Sequence, residues 1–370
     1  MPYQEPFMDK PLLPPDIFEF LATKTLGQDE TLKQVAVAIY KHINDLPAGN
    51  ILLIGNSGTG KTTIMNTVQQ FFAEHQQLQR FQAMTIVNAN MLEGDDKGDV
   101  KLGRMLKNLE QAVYKYYGNF ITDEKLKEYM ENATICIDEV DKISGKIADK
   151  SNVAGITIQH ALLTMLEGEA ILYDTVRDET GKPRNARVSI DTSRTLFICG
   201  GAFEGLYDII SDRIHQSGES IKLKSQRAGT GRVGMQRLIL KDSLNLGDLF
   251  QYGMAPQFIS RFNALCVLDD LGEDEMKQIF LSADDSPLRN SYEYFRSMDI
   301  DLKVTKSALE LICRHAVANS RIGARALKEV FSRIIAEFEF DPFNSKNLSE
   351  ESPRPVLTID DTIVKEVLEV

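Results

Sequence analysis

The sequence predicts an α/β fold: a large domain built on a parallel sheet, followed by a smaller and mostly helical domain. Two observations lead to this prediction. Short apolar runs, which are typical of buried strands, alternate with helical patterns between Ile51 and Leu268. Alternation of this kind is typical of a parallel sheet that is covered by helices. After about Leu271 the pattern changes to amphipathic helices, which indicates a second domain.

The large domain is predicted to extend over residues 12–270. Residues 1–11 before it carry prolines and little periodicity, so we expect a flexible N-terminal arm there. Each predicted strand is a short apolar run: Ile51–Ile54, Ala83–Val87, Thr134–Ile137, Thr195–Cys199 and Ala264–Leu268. Helical periodicity covers the segments around them: 14–21, 29–43, 64–72, 102–116, 123–130 and 155–166. The stretch 217–234 is rich in Gly, Ser, Lys and Arg, which predicts an exposed loop.

The second domain is predicted over residues 271–370. Its helices are expected at 273–283, 306–318 and 326–340. The last of these is clearly amphipathic, with Leu327, Val330, Phe331 and Ile334 on one stripe. A polar segment then leads to a strand at 355–359 and a terminal helix.

Composition limits the classes of protein that remain. The chain has 370 residues, with an apolar fraction of 43% and a charged fraction of 26%, as in globular proteins. No apolar run approaches the ~20 residues of a membrane span, and the N-terminus lacks the pattern of a signal peptide. We therefore expect a cytoplasmic protein without membrane contact. The net charge of -12 makes nucleic acid an unlikely partner. The four cysteines lie far apart in apolar runs, which predicts buried thiols rather than a zinc site or disulfides.

A glycine-rich turn follows the first strand. Gly55, four residues, Gly60, Lys61 and Thr62 match the phosphate-binding pattern G-x-x-x-x-G-K-[ST], with a strand before it and a helix after it. The loop backbone turns its N–H groups toward a polyphosphate, and the helix N-terminus favours the same anion. Lys61 reaches the β- and γ-phosphates and Thr62 ligates Mg²⁺ in such loops. The nucleotide-binding residues are predicted to be Asn56, Ser57, Gly58, Thr59, Gly60, Lys61, Thr62 and Thr63.

Two adjacent acids, Asp138 and Glu139, end the third predicted strand. The carboxyl edge of a parallel sheet is where α/β proteins bind ligands. Buried carboxylates are costly without a partner, and the Mg²⁺ of a bound nucleotide supplies one. We predict that Asp138 holds the metal and that Glu139 orients or deprotonates the attacking water.

Two arginines are candidates for the remaining positive charge of the phosphate site. Arg261 precedes the fifth strand and Arg325 begins the long amphipathic helix. A lone arginine at either place is more often a solvated helix-end residue. In NTPases, however, arginines from a neighbouring subunit or a lid commonly complete the charge clamp on the γ-phosphate. Spacing alone leaves both interpretations open.

Several stretches resemble ATPases of the ClpX family, the hexameric AAA+ protein unfoldases. They include GNSGTGKT, ICIDEVDKIS, IQHALLTMLEG, LFICGGAFEGL, APQFISRF and IGARALKEVF, and the resemblance covers residues 12 to about 365. It implies an ATP- and Mg²⁺-dependent ATPase that forms a ring, expected to be a hexamer. It also implies that Asp138 and Glu139 form the Walker B pair and that Arg261 is an arginine finger for the adjacent subunit. Arg325 becomes the sensor-2 arginine, and Leu26 and Gly27 fall in the segment that covers the adenine.

The chain departs from the family pattern in places that contact other proteins. The family's zinc-binding domain has no counterpart in the sequence, and the aromatic pore loop is replaced by the charged stretch 93–99. An aromatic grips a translocating chain by apolar contact, whereas Asp95, Asp96 and Lys97 are well hydrated. The Ile-Gly-Phe tripeptide that docks the peptidase is absent from 218–234, and the basic pore-entrance loop is absent from 174–187.

The sequence therefore predicts an ATP-hydrolysing ring protein that remodels a protein substrate or acts with an adaptor, without the usual peptidase. Two alternatives stay open. One is a nucleotide-gated docking platform for a dedicated partner, which the charged 95–99 stretch favours. The other is a ring ATPase that acts on nucleic acid through a basic loop of Lys222, Lys224, Arg227, Arg232 and Arg237, against which the acidic balance argues.

Overall fold

The computed structural model describes residues 12–92, 102–118, 120–147, 150–177, 183–217, 241, 243–283, 286–318, 323–349 and 354–369. The predicted N-terminal arm, the charged stretch 93–99 and the predicted loop at 217–234, apart from the end of a helix at Ser217, lie outside these residues.

The predicted α/β fold is confirmed by a five-stranded parallel sheet. Its strands are β1 Asn50–Ile54, β2 Met84–Asn88, β3 Thr134–Asp138, β8 Leu196–Gly201 and β9 Phe262–Val267, in the order β2-β3-β8-β1-β9. Each strand overlaps a predicted one within one or two residues at either end. The apolar runs are continuous because helices cover both faces of the sheet.

Helices on the two faces of the sheet bury two separate cores. The helices before the third strand are α1 Pro14–Ala22, α2 Asp29–Ile43, α3 Lys61–Glu74, α4 Leu102–Tyr117 and α5 Asp123–Glu131. Successive residues of β1 point to opposite faces, so that Ile51 and Leu53 pack with the cluster of α1, α2 and α3, whereas Leu52 and Ile54 pack with the cluster of α4 and α5. All four cysteines are buried free thiols, as the sequence predicts.

An antiparallel hairpin between the third and fourth strands of the sheet was not predicted. A short pair, β4 Lys146–Ile147 and β5 Lys150–Ser151, leads to α6 Val153–Leu166, and then β6 Ala170–Arg177 pairs with β7 Pro183–Asp191. The two strands thus include residues 174–177 and 183–187 of the stretch in which the sequence lacks the basic loop. In the described part of the chain, the helices α7 Leu206–Ser217, α8 Leu246–Tyr252 and α9 Pro256–Ile259 also belong to this unit.

The residues after Leu271 share a third hydrophobic cluster, which extends to Leu368. Its helices are α10 Glu273–Ser282, α11 Pro287–Arg296, α12 Lys306–Ala318, α13 Arg325–Phe340 and α14 Asp361–Leu368. They pack beside a small sheet of β10 Asp301–Val304, β11 Leu348–Ser349 and β12 Val356–Ile359, in the order β10-β12-β11. Of these elements, α11, β10 and β11 were not predicted. None of the helices in the described ranges is long and apolar enough to cross a membrane.

Candidate active site

The glycine-rich turn lies between β1 and α3, at the carboxyl edge of the sheet. Gly60 caps α3 with a φ of 104°, a left-handed conformation that favours glycine. The amine of Lys61 folds back over the turn, where its Nζ donates to the carbonyl oxygens of Gly55 at 2.5 Å and Asn56 at 2.9 Å. Lys61 is only 8% exposed. A buried ammonium is thus held inside the loop, where the phosphates of a nucleotide would meet it.

The hydroxyl of Thr62 and the carboxylate of Asp138 lie together. Thr62 Oγ1 donates to Asp138 Oδ2 at 2.6 Å, across the sheet edge between α3 and the end of β3. The other carboxylate oxygen, Asp138 Oδ1, accepts from the backbone N–H of Glu139 at 2.9 Å. A hydroxyl and a carboxylate at this spacing are hard oxygen donors, the ligand type that Mg²⁺ prefers, and a nucleotide adds phosphate oxygens and water. The residues present therefore fit a nucleotide-bound Mg²⁺.

Glu139 follows Asp138 in a left-handed conformation, with a φ of 57°. Such a conformation is uncommon for a residue other than glycine and often marks a functional site. Its Oε2 accepts a hydrogen bond at 3.1 Å from Nδ2 of Asn90, which follows β2. Sequence reasoning missed Asn90. The neighbouring strands β2 and β3 bring it to Glu139, and the only signal in the sequence is a polar residue just after a buried strand.

Arg325 lies against the same turn. Its Nη1 donates to Ser57 Oγ at 2.6 Å, and the backbone N–H of Ala324 donates to Gly58 O at 3.1 Å. Gly323 precedes them with a φ of 52°, and a Cβ at this position would lie 2.5 Å from Gly58 O. The start of α13 therefore touches the backbone of the glycine-rich turn directly.

Leu26 and Gly27 lie just before Gln28, a residue that the sequence analysis did not single out. Gln28 is 1% exposed, and its Nε2 donates to Thr59 O at 3.1 Å and to Asp269 O at 2.7 Å. Its Oε1 accepts from the N–H of Asp269 at 2.8 Å. Gln28 thus joins the glycine-rich turn to the segment that follows β9.

Arg261 lies at the opposite, amino edge of the sheet. Its carbonyl accepts at 3.1 Å from Nδ2 of Asn50, the first residue of β1, and Asn50 pairs in register with Phe262. The five residues of β1 separate this position from the glycine-rich turn, which is roughly 15 Å along a strand. The Arg261 side chain forms an ion pair with Glu167.

The structure therefore brings most of the predicted site together. Residues 56–63 form the glycine-rich turn and the start of α3. Asp138 and Arg325 are bonded to these residues, Glu139 follows Asp138, and the segment of Leu26 and Gly27 adjoins the turn through Gln28. Arg261 is the exception. Within one chain it faces away from the turn.

A strand, a glycine-rich turn and a helix at the edge of a parallel sheet define the class of P-loop α/β proteins. The family model described as "AAA domain (Cdc48 subfamily)" matches residues 46–265. The chain therefore belongs to the AAA domain family.

Two relatives illustrate the similarity within this family. The ATP-dependent Clp protease ATP-binding subunit ClpX of Borrelia duttonii is 27% identical over 340 residues, which cover 88% of this chain and 73% of the relative. The protein of the same name from Treponema denticola is 28% identical over 358 residues, which cover 91% and 79%. The predicted resemblance to ClpX-like AAA+ ATPases is thus confirmed.

Proposed function

We propose that this protein is an ATP-hydrolysing ring that remodels a protein partner. The observation that carries the proposal is the cluster of Lys61, Thr62 and Asp138 at the carboxyl edge of the sheet, with Glu139 beside it. One buried cation and three oxygen-bearing groups in this arrangement suit Mg·ATP. Relatives named as ATP-binding subunits also align with the chain over most of its length.

In the proposed mechanism, Lys61 exchanges its loop carbonyls for the β- and γ-phosphate oxygens. Thr62 and Asp138 would hold Mg²⁺, which neutralises developing charge on the phosphates when bound. Glu139 accepts the proton of the attacking water, and Asn90 keeps its carboxylate aimed at that position. Arg325 adds positive charge from α13, beside Ser57 of the turn, and Leu26 and Gly27 cover the adenine.

We further propose two domains, 12–270 and 271–370, with the nucleotide between them. Support comes from the third hydrophobic cluster, which begins at Leu271. Asp269, just before it, is bonded to Gln28, and Gln28 is bonded to the turn. Removal of the γ-phosphate by hydrolysis would therefore alter contacts on both sides of this connection, at Gln28 and at Arg325. The angle between the domains would then transmit force to a bound partner.

The position of Arg261 is the basis for proposing a ring. At the amino edge of the sheet it is far from the turn of its own chain, so a phosphate contact would need a neighbouring copy. We propose a closed homo-oligomer, expected to be a hexamer, in which each Arg261 completes the next site. We also propose that the usual Clp peptidase is not its partner, because the docking tripeptide is missing from 218–234.

The test is steady-state ATPase activity, with the mass determined in the same ATP-containing buffer and an unfolded polypeptide added or withheld. We expect a ring that hydrolyses ATP, and faster when polypeptide is present. A monomer without turnover would contradict the proposal. A ring that hydrolyses ATP but ignores polypeptide would favour a docking platform for a dedicated partner, which the charged stretch 95–99 also favours.

A further inference from the structure

The side chain of Arg261 does not project freely from the amino edge of the sheet. Its Nη2 donates to Oε1 of Glu167, the residue that follows α6. The two side chains are 44% and 30% exposed. Because water screens such a pair, it contributes little to folding stability. The contact is therefore better explained by what it does to the orientation of Arg261.

Glu167 is presented from a firmly held corner of the backbone. Its N–H donates to Leu163 O at 2.9 Å, which continues the pattern of α6. The buried hydroxyl of Thr192 closes the corner by bonding to Met165 O at 2.8 Å and to Glu169 O at 3.0 Å. These bonds hold the carbonyls on both sides of Glu167, so the backbone that carries its side chain is fixed in position.

The backbone of Arg261 is held as well. Its N–H donates to Phe258 O at 3.2 Å, and its carbonyl accepts from Asn50. Asn50 is in turn bonded through its Oδ1 to the N–H of Phe197 in the sheet, at 3.3 Å. With both backbones held, the side-chain torsions of Arg261 and Glu167 remain to be set, and the contact between the two restricts them.

The contact uses one side of the guanidinium group. In the described ranges, Nη2 donates to Glu167, whereas Nη1 and Nε make no hydrogen bond. A guanidinium can bind two oxygen-bearing groups at once through its planar fork. Glu167 therefore leaves donors available for phosphate oxygens while it holds the group.

We propose that Glu167 is a positioning residue for Arg261. It holds the guanidinium in the orientation that reaches the nucleotide of an adjacent copy, and it stays bound to Nη2 when phosphate oxygens occupy the remaining donors. This inference rests on the proposed function, because Arg261 has a phosphate to meet only in a ring. Glu167 itself touches no substrate.

The first experiment compares three substitutions by steady-state ATPase kinetics. Glu167→Ala is expected to lower kcat about 10-fold, since small losses of orientation at a reacting centre are costly, while KM for ATP stays within about 2-fold. Glu167→Gln keeps a neutral acceptor for Nη2 and is expected to recover part of the loss. Glu169→Ala removes an exposed glutamate from the same turn and should behave as wild type. The melting temperature of all three should match wild type, which separates positioning from loss of fold.

The second experiment asks whether Glu167 acts through Arg261 and across the subunit interface. The double variant Glu167→Ala with Arg261→Ala should be no slower than Arg261→Ala alone. Glu167→Ala subunits mixed with Glu139→Gln subunits should regain turnover, because the latter supply an intact Glu167 and Arg261 to their neighbours.

Several outcomes would overturn the proposal. They are a Glu167→Ala variant at or above the wild-type kcat, losses that multiply in the double variant, or no recovery on mixing where Arg261→Ala subunits do recover. Failure of the proposed ring mechanism has a different signature, in which Arg261→Ala itself leaves turnover unchanged.

Discussion

The two edges of the parallel sheet differ in what they present. At the carboxyl edge, the amine of Lys61 lies inside the glycine-rich turn, Thr62 is bonded to Asp138, and Glu139 follows Asp138 directly. At the amino edge, Arg261 and Glu167 form an exposed ion pair, and Asn132, which precedes β3, is a buried neutral group at the same edge. One edge carries the groups proposed to bind phosphate and Mg²⁺, whereas Arg261 lies at the other edge, away from them.

If the proposed ring forms, this difference means that the reactive groups of one site come from two copies of the chain. A head-to-tail contact in such a ring would place the amino edge of each copy at the carboxyl edge of the next. The arginines illustrate the point. Arg325 is bonded to Ser57 of its own glycine-rich turn, whereas Arg261 is bonded to Glu167, outside the turn. The predictions below test whether this division between the edges holds.

The largest effect is expected from Lys61→Ala at the carboxyl edge. Removing a desolvated ammonium from its phosphate partners should weaken ATP binding by about 100-fold or more. Equilibrium binding of a fluorescent ATP analogue measures this. Lys303→Ala, which removes an exposed lysine of β10, is the matched control and should bind as wild type. An unchanged affinity of the Lys61→Ala variant would remove the glycine-rich turn from the site.

Glu139→Gln should separate binding from chemistry at the same edge. The amide keeps the size of the side chain and loses the base, so ATP should bind with near-normal affinity while turnover falls about 100-fold or more. Binding and steady-state turnover are measured on the same preparation. Glu204→Gln alters an exposed glutamate that follows β8, also at the carboxyl edge, and should turn over normally. Normal turnover by Glu139→Gln would exclude Glu139 as the base.

The two arginines should respond differently to mixing. Arg261→Ala is expected to lower turnover by about 100-fold or more, with ATP binding retained. Arginine fingers contribute roughly 10³- to 10⁵-fold to turnover. Mixing these subunits with Glu139→Gln subunits should restore part of the activity. Arg325→Ala should raise KM for ATP, and mixing should not rescue it, since its contact lies within the chain. Equal rescue of both variants would contradict the division between the edges.

The strands and the glycine-rich turn were predictable because their signals are local. Buried strands such as β1 and β8 are continuous apolar runs, and the turn has a fixed spacing of glycines before Lys61. The hairpin β6–β7 was missed because a ribbon that is only partly buried gives a weak pattern: Leu172 of β6 is 68% exposed, whereas the adjacent Tyr173 is buried. An exposed apolar residue beside a buried one hides the alternation of a strand.

The missed contacts of the site join distant parts of the chain. Asn90 is 49 residues from Glu139, Arg261 is 94 from Glu167, and Gln28 is 241 from Asp269. No motif spacing encodes these pairs, because the order of strands in the sheet and the packing of the helices bring them together. The residue types at the site could therefore be predicted, but not which groups orient them.

The smallest effect concerns folding rather than catalysis, and it lies near the amino edge. His42 of α2 is fully buried, with Nε2 3.1 Å from Asn132 O and its ring against Phe72 and Phe81. The pKa of His42 is lowered from 6.5 to about 4, mainly by burial; the hydrogen bond with Asn132 O opposes the shift, the nearby charge of Arg80 adds to it, and that of Asp45 opposes it. The imidazole is therefore neutral in the folded protein at pH 7.

The sign of the pH dependence follows from linkage. The unfolded chain binds a proton at His42 below pH 6.5, whereas the folded chain does so only below about pH 4. The free energy of unfolding is thus complete above pH 6.5 and should fall by about 1 kcal/mol at pH 5.5 and about 3 kcal/mol at pH 4. Carboxylates titrate only in the lower part of this window, so they contribute least in the interval from pH 7.5 to 5.5. Urea unfolding across that interval should show a flatter dependence for His42→Gln, which retains a donor for Asn132 O. His160→Gln, at an exposed histidine of α6, should retain the wild-type dependence. If the free energy of unfolding of His42→Gln depends on pH as in wild type, a different group governs acid destabilisation. Buried neutral His42 would then not distinguish the amino edge from the carboxyl edge.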